Sequence, residues 1–366
     1  MSTTDDHNAE LLPVGLVGTA AELPALLELA LATEQLAVRG QAGLPRAAAR
    51  DDVPWFDDPR VLMTHGEIAA LLVAGPPTAA NAATLAALEL GLPVWRAAPA
   101  GRSFTETLEL LMAARDASGH LHTASWWQYV SSAALEAAEC CPLDEIIFSD
   151  ALAVGPGPAA RSWRNAAGQA GGGALLQVGW HALEALIATR GLPDHVYAGL
   201  TLRTAESLDT PRDVEDAAAL TLLLPDGVAA ALRVRWSAQP PAVALLHFGS
   251  QGALCYRTTA PPDLPPERAW SEALGAPLGG AMVDARDPTG KTLESFDPGG
   301  AFLASDLRRF VREIRSESGP AATQAVLERQ LCVAAVVECA YLSARTRQPE
   351  DPRRIFEVHK WPLPEL

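Results

Sequence analysis

Ile68-Ala69-Ala70-Leu71-Leu72-Val73-Ala74-Gly75-Pro76-Pro77 decides the fold class. An apolar run with no polar alternation describes a strand covered on both faces, as in a parallel sheet. Gly75 and the proline pair stop it, and the following residues predict a helix from Thr78 to Leu90, with Gly91 as its terminating glycine and Pro93 preventing continuation. Towards the N-terminus, Leu11 to Gly18 is another apolar strand. Ala21 to Thr33 is a helix with Leu23, Leu26, Leu27 and Leu31 at helical spacing, and Gln35 to Val38 is a further strand. Towards the C-terminus come a short strand, Pro93 to Arg96, and a helix from Phe104 to Ala117 that opens on the capping box Ser103-Phe104-Thr105-Glu106. Strand and helix alternate through short connections, which predicts a doubly wound α/β domain over residues 11–125, preceded by a flexible tail at 1–10.

After Thr123 the pattern changes. Glu145 to Val154 reads as a strand, residues 155–173 as a loop rich in Gly, Pro, Ala and Arg, and Ala174 to Arg190 as one helix. Strands then crowd together at His195 to Arg203, Ala217 to Leu224, Val228 to Trp236 and Val243 to Phe248, with Pro225-Asp226-Gly227 as a hairpin turn. Ala253 to Arg257 is expected as an edge strand and residues 258–300 as an irregular excursion. Two helices, Ala301 to Glu317 and Ala321 to Arg345, close the chain. Residues 126–366 therefore predict an α+β domain with a large, mostly antiparallel open sheet. The apolar alternation in its strands predicts a dimer or tetramer formed through that sheet.

The 366 residues are 49% hydrophobic and 20% charged, a globular composition, and the net charge is −16. Such a surface repels phosphate backbones and anionic lipid, so neither nucleic acid nor membrane is an expected partner. Five cysteines, odd in number and without C-x-x-C spacing, predict a reducing compartment. With no leader pattern in residues 1–10, a cytoplasmic location is expected. Lysine is confined to Lys291 and Lys360. No lysine among the first 290 residues is available as an acid, base or Schiff-base former.

Several segments together resemble the Gfo/Idh/MocA oxidoreductases (glucose–fructose oxidoreductase, inositol dehydrogenase and relatives). They are Ile68 to Pro77 with Ala82 to Val94, Gly171-Gly172-Gly173-Ala174-Leu175-Leu176-Gln177-Val178-Gly179-Trp180-His181, the Ala217 to Trp236 hairpin, the Phe248-Gly249-Ser250-Gln251-Gly252 turn, and Val336 to Arg347. The resemblance implies a Rossmann-like N-terminal domain, NAD or NADP as cofactor, and a sugar, polyol or similar small hydroxy compound as substrate.

It also assigns positions, and many of them are altered. Gly15, Gly18, Thr19 and Ala20 stand where a glycine-rich loop would approach a pyrophosphate at a helix N-terminus, and Gly75, Pro76 and Pro77 line the same groove. Ala20 replaces the second glycine. Thr19-Ala20-Ala21-Glu22 reads equally as a capping box, which would set Glu22 where phosphate should sit. Arg39 stands near the expected ribose-binding carboxylate, where an arginine would favour a 2′-phosphate. The family's lysine in its E-K-P motif corresponds to Ala98 in Ala97-Ala98-Pro99, leaving Arg96 as nearby positive charge. The family's carboxylate four residues before a helical histidine is Gln177, with His181 retained.

Trp126, Trp127 and Tyr129 at the junction of the two domains, with Trp163 and Arg164, are expected along the substrate cleft. His120 and His122 share one side of a strand, but no Asp, Glu or Cys lies near them in sequence, so no metal site is expected. Two functions stay open: an NAD(P)-dependent oxidoreductase with a degenerate catalytic apparatus, or a non-catalytic pseudoenzyme serving as a ligand-binding, regulatory or partner subunit.

Overall fold

The computed structural model describes residues 10–117, 119–143, 145–159, 162–202, 212–237, 242–259, 274, 280–316 and 321–364. The expected tail, Arg203, Glu317 and most of 258–279 lie outside these residues.

The first layer system is built from β1 (Leu12–Val17), α1 (Leu23–Ala32), β2 (Leu36–Ala42), β3 (Trp55–Phe56), α2 (Pro59–His65), β4 (Ala70–Val73), α3 (Pro77–Glu89), β5 (Val94–Arg96), α4 (Phe104–Asp116) and β6 (Leu121–Thr123). Its six strands run in the order β3-β2-β1-β4-β5-β6, every pair parallel. All four residues of β4 are buried, as an unalternating apolar strand demands.

The second system begins with α5 (Trp126–Cys140), β7 (Ile146–Gly155), α6 (Ala167–Ala170), α7 (Ala174–Gln177) and α8 (Gly179–Arg190). It continues through β8 (His195–Thr201), β9 (Ala217–Leu223), β10 (Ala229–Trp236), β11 (Ala242–Gly249), β12 (Gly252–Thr259), β13 (Gly280–Arg286) and β14 (Thr292–Phe296). Helices α9 (Phe302–Arg315), α10 (Ala321–Thr346) and α11 (Arg353–Val358) complete it. Its eight strands run β14-β13-β12-β11-β7-β10-β9-β8. Only β7 and β10 pair in parallel among the described strands. The fold class is therefore α/β, a Rossmann-like parallel sheet joined to a large, mostly antiparallel one.

The Pro225-Asp226-Gly227 turn forms as expected. Gly227 takes φ +80° and Leu224 N donates to Val228 O at 2.9 Å. Helix α10 packs across β8, α4 and α8, while α9 packs on α1 and α5, so the C-terminal helices tie the two systems together.

Three expectations are corrected, and one helix was not foreseen. Residues 258–300 contain β13 and β14, which makes β12 an interior strand rather than an edge. Residues 126–140 form α5, capped by Ser125 Oγ accepting from Gln128 N at 3.1 Å. The expected helix 174–190 lapses at Val178 into α7 and α8. Strand β2 continues to Ala42, four residues past the expected end at Val38.

Candidate functional site

The loop after β1 sits at the C-terminal edge of a parallel sheet, where open α/β folds place ligands. Gly18 is packed tightly: a Cβ there would lie 3.0 Å from Ala74 O. Helix α1 starts at Leu23, with Glu22 as its N-cap residue and no side-chain cap. The capping-box expectation is thereby corrected. Thr19 Oγ1 does bond the Glu22 carboxylate, but Glu22 Oε1 turns to the second system, accepting from Trp163 Nε1 at 2.8 Å and from Arg164 at 3.3 Å. Glu22 is 1% exposed. Burial lowers the Arg164 pKa, with Glu22 opposing that shift.

Gly75, Pro77, Ala98, Gln177, Trp163 and Arg164 converge with Glu22 around one cavity of about 10 Å³. That is about one water's worth of space. Of the positions singled out for cofactor and chemistry, Gly75, Pro77, Ala98 and Gln177 line this cavity, which is nearly filled by the chain itself. A pyrophosphate does not fit beside the buried carboxylate of Glu22 while Trp163 and Arg164 hold it in place.

Gly18, Thr19 and Ala20 do not line the cavity, and three further expected groove residues lie elsewhere. Gly15 is a packing glycine inside β1, where a Cβ would meet Ile68 at 2.9 Å and Leu62 at 3.0 Å. Arg39 is exposed in the middle of β2 and not at its end, because the strand runs on to Ala42. Pro76 caps the start of α3. Arg96 is also corrected. It does not line the cavity; its guanidinium donates to Asn81 Oδ1 at 2.7 Å and Pro99 O at 3.3 Å, and burial pushes its pKa down to about 10 against the pull of Glu106.

The glycine run before α7 has a packing cause. A Cβ at Gly172 would overlap the Tyr341 hydroxyl, and one at Gly173 the Glu215 carbonyl oxygen. Glu215 was not foreseen. Its carboxylate accepts from Gly173 N and Leu175 N, both at 2.9 Å, and from Tyr341 Oη at 3.0 Å, so it caps the entry to α7. Burial raises its pKa while these bonds oppose the rise. Gln177 donates to Gly172 O at 3.3 Å and makes no bond to His181, since the helical break at Val178 separates the pair. His181 Nδ1 has no hydrogen-bond partner, and the ring meets Phe302 edge-on at 5.7 Å. Burial, opposed by Asp306, pushes its pKa down to about 4. The ring is neutral at neutral pH and is not tuned for proton exchange there.

Residues 145–255 match the family model of the GFO/IDH/MocA C-terminal domain. That stretch, from β7 into β12, is similar to the C-terminal domain of Gfo/Idh/MocA proteins. No curated protein matches the sequence significantly. Among solved structures, levoglucosan dehydrogenase in complex with NADH and levoglucosan aligns with a TM-score of 0.70 at 18% identity, over 93% of this chain and 99% of that one. Aldose-aldose oxidoreductase from Caulobacter crescentus, complexed with glycerol, aligns at 0.71 and 16% identity over 93% and 100%. GenD2 from gentamicin A biosynthesis, in complex with NAD, aligns at 0.71 and 17% identity over 96% and 99%. These likenesses establish the shared Gfo/Idh/MocA fold along nearly the whole chain. Among the described residues no helix is long and apolar enough to cross a membrane.

The residues expected as an aromatic wall are mostly core. Trp126 is fully buried, Trp127 packs 6.1 Å from Tyr256, and Tyr129 donates to Gly300 O at 2.5 Å beside Phe302. Only Trp163 and Arg164 of the expected cleft residues reach the cavity.

Behind it runs a buried polar seam that sequence spacing did not reveal. Asp306 Oδ2 accepts from Trp95 Nε1 at 2.8 Å and bonds His122 Nε2 at 3.0 Å, while Oδ1 accepts from Ser125 N at 3.3 Å. His122 Nδ1 lies 3.0 Å from Glu313 Oε2. Burial works against a charge on His122, but the two carboxylates outweigh it and push its pKa up to about 9. Burial would likewise raise Glu313, yet His120, His122 and Arg309 hold it well below the usual carboxylate range. Ser125 Oγ donates to Glu184 Oε1 at 2.7 Å.

Proposed function

We propose that this chain is a divergent NAD(P)-dependent oxidoreductase of the Gfo/Idh/MocA type, handling a sugar, polyol or similar small hydroxy compound with a degenerate catalytic apparatus. The observation that carries this reading is the convergence of Ala98, Gln177, Gly75 and Pro77 on one cavity. Ala98 and Gln177, where the resemblance expects a lysine and a carboxylate, both line it. Both lysines of the chain are exposed and far from substituting for it in sequence. NAD or NADP enters only when Trp163 and Arg164 release Glu22. The outer face of the second sheet, with Leu152, Tyr197, Leu223 and Phe248 exposed, supports assembly into a dimer or tetramer.

A second reading, a non-catalytic ligand-binding, regulatory or partner subunit, is favoured by the closed Glu22–Trp163–Arg164 contact. Titration with NADH and NADPH, followed by tryptophan fluorescence and thermal shift, separates the two. Saturable binding to the wild type, with polyol turnover that disappears in His181→Ala, eliminates the non-catalytic reading. Absence of binding in the wild type, in Glu22→Ala and in Ala98→Lys/Gln177→Asp eliminates the oxidoreductase reading.

A further inference from the structure

His120 and His122 stand two residues apart, so their rings leave β6 on the same side. The carboxylate missing from their sequence neighbourhood is supplied by Glu313, near the C-terminal end of α9. Ligand atoms of His120, His122 and Glu313 all lie within 4.8 Å of one another. Glu313 Oε2 is 3.0 Å from His122 Nδ1 and 3.3 Å from His120 Nε2. Metal–nitrogen and metal–oxygen bonds of about 2.0–2.1 Å at tetrahedral angles set ligand atoms about 3.3 Å apart. Two edges of such a polyhedron are therefore already in place.

The surroundings match a metal site as well as the ligands do. His122 turns its other nitrogen to Asp306 at 3.0 Å, the carboxylate–histidine arrangement that fixes the tautomer of a ligating imidazole. Arg309 donates to Glu313 Oε1 at 2.9 Å, which leaves Oε2 aimed at the two rings. His120 Nε2 is a buried nitrogen without a hydrogen-bond partner; it approaches Glu313 but does not align with it. Phe310 stacks obliquely beside both rings, at 5.6 Å and 5.8 Å. The side chains of His120 and Glu313 remain 17% and 18% exposed, which leaves an entry path from solvent.

We propose that His120, His122 and Glu313 form a binding site for a divalent transition-metal ion, zinc by the nitrogen-and-oxygen donor set, with the fourth position open to water. The ion clamps β6, in the first layer system, to α9, in the second.

The test uses the full-length protein stripped with a chelator and titrated with zinc chloride by calorimetry, with cobalt(II) as a spectroscopic probe. One equivalent of zinc should bind each chain, raise the melting temperature, and in its cobalt form show the intense visible bands of a tetrahedral site. His120→Ala should weaken zinc binding by at least about tenfold, and should reduce the rise in melting temperature that zinc gives, measured against the stripped variant itself. Glu313→Gln should also abolish the tetrahedral bands. Lack of a saturable single equivalent, or zinc affinity unchanged in His120→Ala, would overturn the site.

Discussion

Glu22 and Glu184 are both buried carboxylates, one at the groove and one in the seam behind it. Glu22 has Thr19, Trp163 and Arg164 as donors, two of them from the other layer system. Glu184 has Ser125 on Oε1 and no hydrogen-bond partner on Oε2. Burial pushes the Glu184 pKa up to about 7, with Ser125 and Arg329 resisting. A buried charge survives when donors surround it and tends to neutralise when they do not. At the groove the donors from Trp163 and Arg164 fill the space around Glu22. In the seam the rule favours the neutral form of Glu184, which lies one turn along α8 from His181.

The comparison is broken most severely at Asp306, the donor-rich end of the seam. Asp306→Ala leaves Trp95 Nε1, Ser125 N and the His122 ring without their acceptor. Losing one partner of a buried, hydrogen-bonded charge pair costs about 3–5 kcal/mol. Urea unfolding of the chelator-treated protein should show this loss, and an unchanged midpoint would mean that the seam is not a stabilising unit.

At the groove the same operation should cost less, because Arg164 keeps partial exposure. Glu22→Ala is expected to lower stability by about 2–3 kcal/mol. It should also open the groove, so that NADH or NADPH binding strengthens relative to wild type. Weaker cofactor binding in this variant would show that Glu22 belongs to the cofactor's own shell.

Glu184 predicts an effect of opposite sign. Its folded pKa, about 7, lies above the unfolded value of 4.5. Its contribution to stability is therefore fully present below about pH 4.5 and is lost as pH rises through about 7. Glu184→Gln should stabilise the protein on the order of 2 kcal/mol at pH 8 and be nearly neutral at pH 4.5. Parallel unfolding curves at the two pH values decide the point. A variant equally destabilised at both would place a retained charge on Glu184.

What the chain disclosed beforehand follows the same divide between local and distant contacts. β4, the Ser103 cap and the Pro225-Asp226-Gly227 turn are set by neighbouring residues, and each was legible. Helix α5 was not foreseen, although Ser125 is a regular N-cap signal. Glu22's partners at Trp163 and Arg164, Glu215's capping of α7 and Glu313's approach to the histidines were not legible. Their partners lie 141, 42 and 191 residues away in sequence, and only the packing of the two sheets brings them together.

The smallest of these effects tests whether the glycine run is there for packing or for a ligand. A Cβ on Gly172 would overlap the Tyr341 hydroxyl, the end of a side chain that has some room to yield. Gly172→Ala should therefore cost about 1–2 kcal/mol, within the usual range for overpacking. Tyr341→Phe removes the offending oxygen together with its 3.0 Å bond to Glu215. Placed in the Gly172→Ala background, it should restore part of the loss, so the double variant is more stable than the sum of the two single changes predicts. Additive losses would mean that Tyr341 is not what Gly172 accommodates. The glycines would then stand free to approach a ligand, and the groove and the seam would differ less than the Glu22 and Glu184 contrast implies.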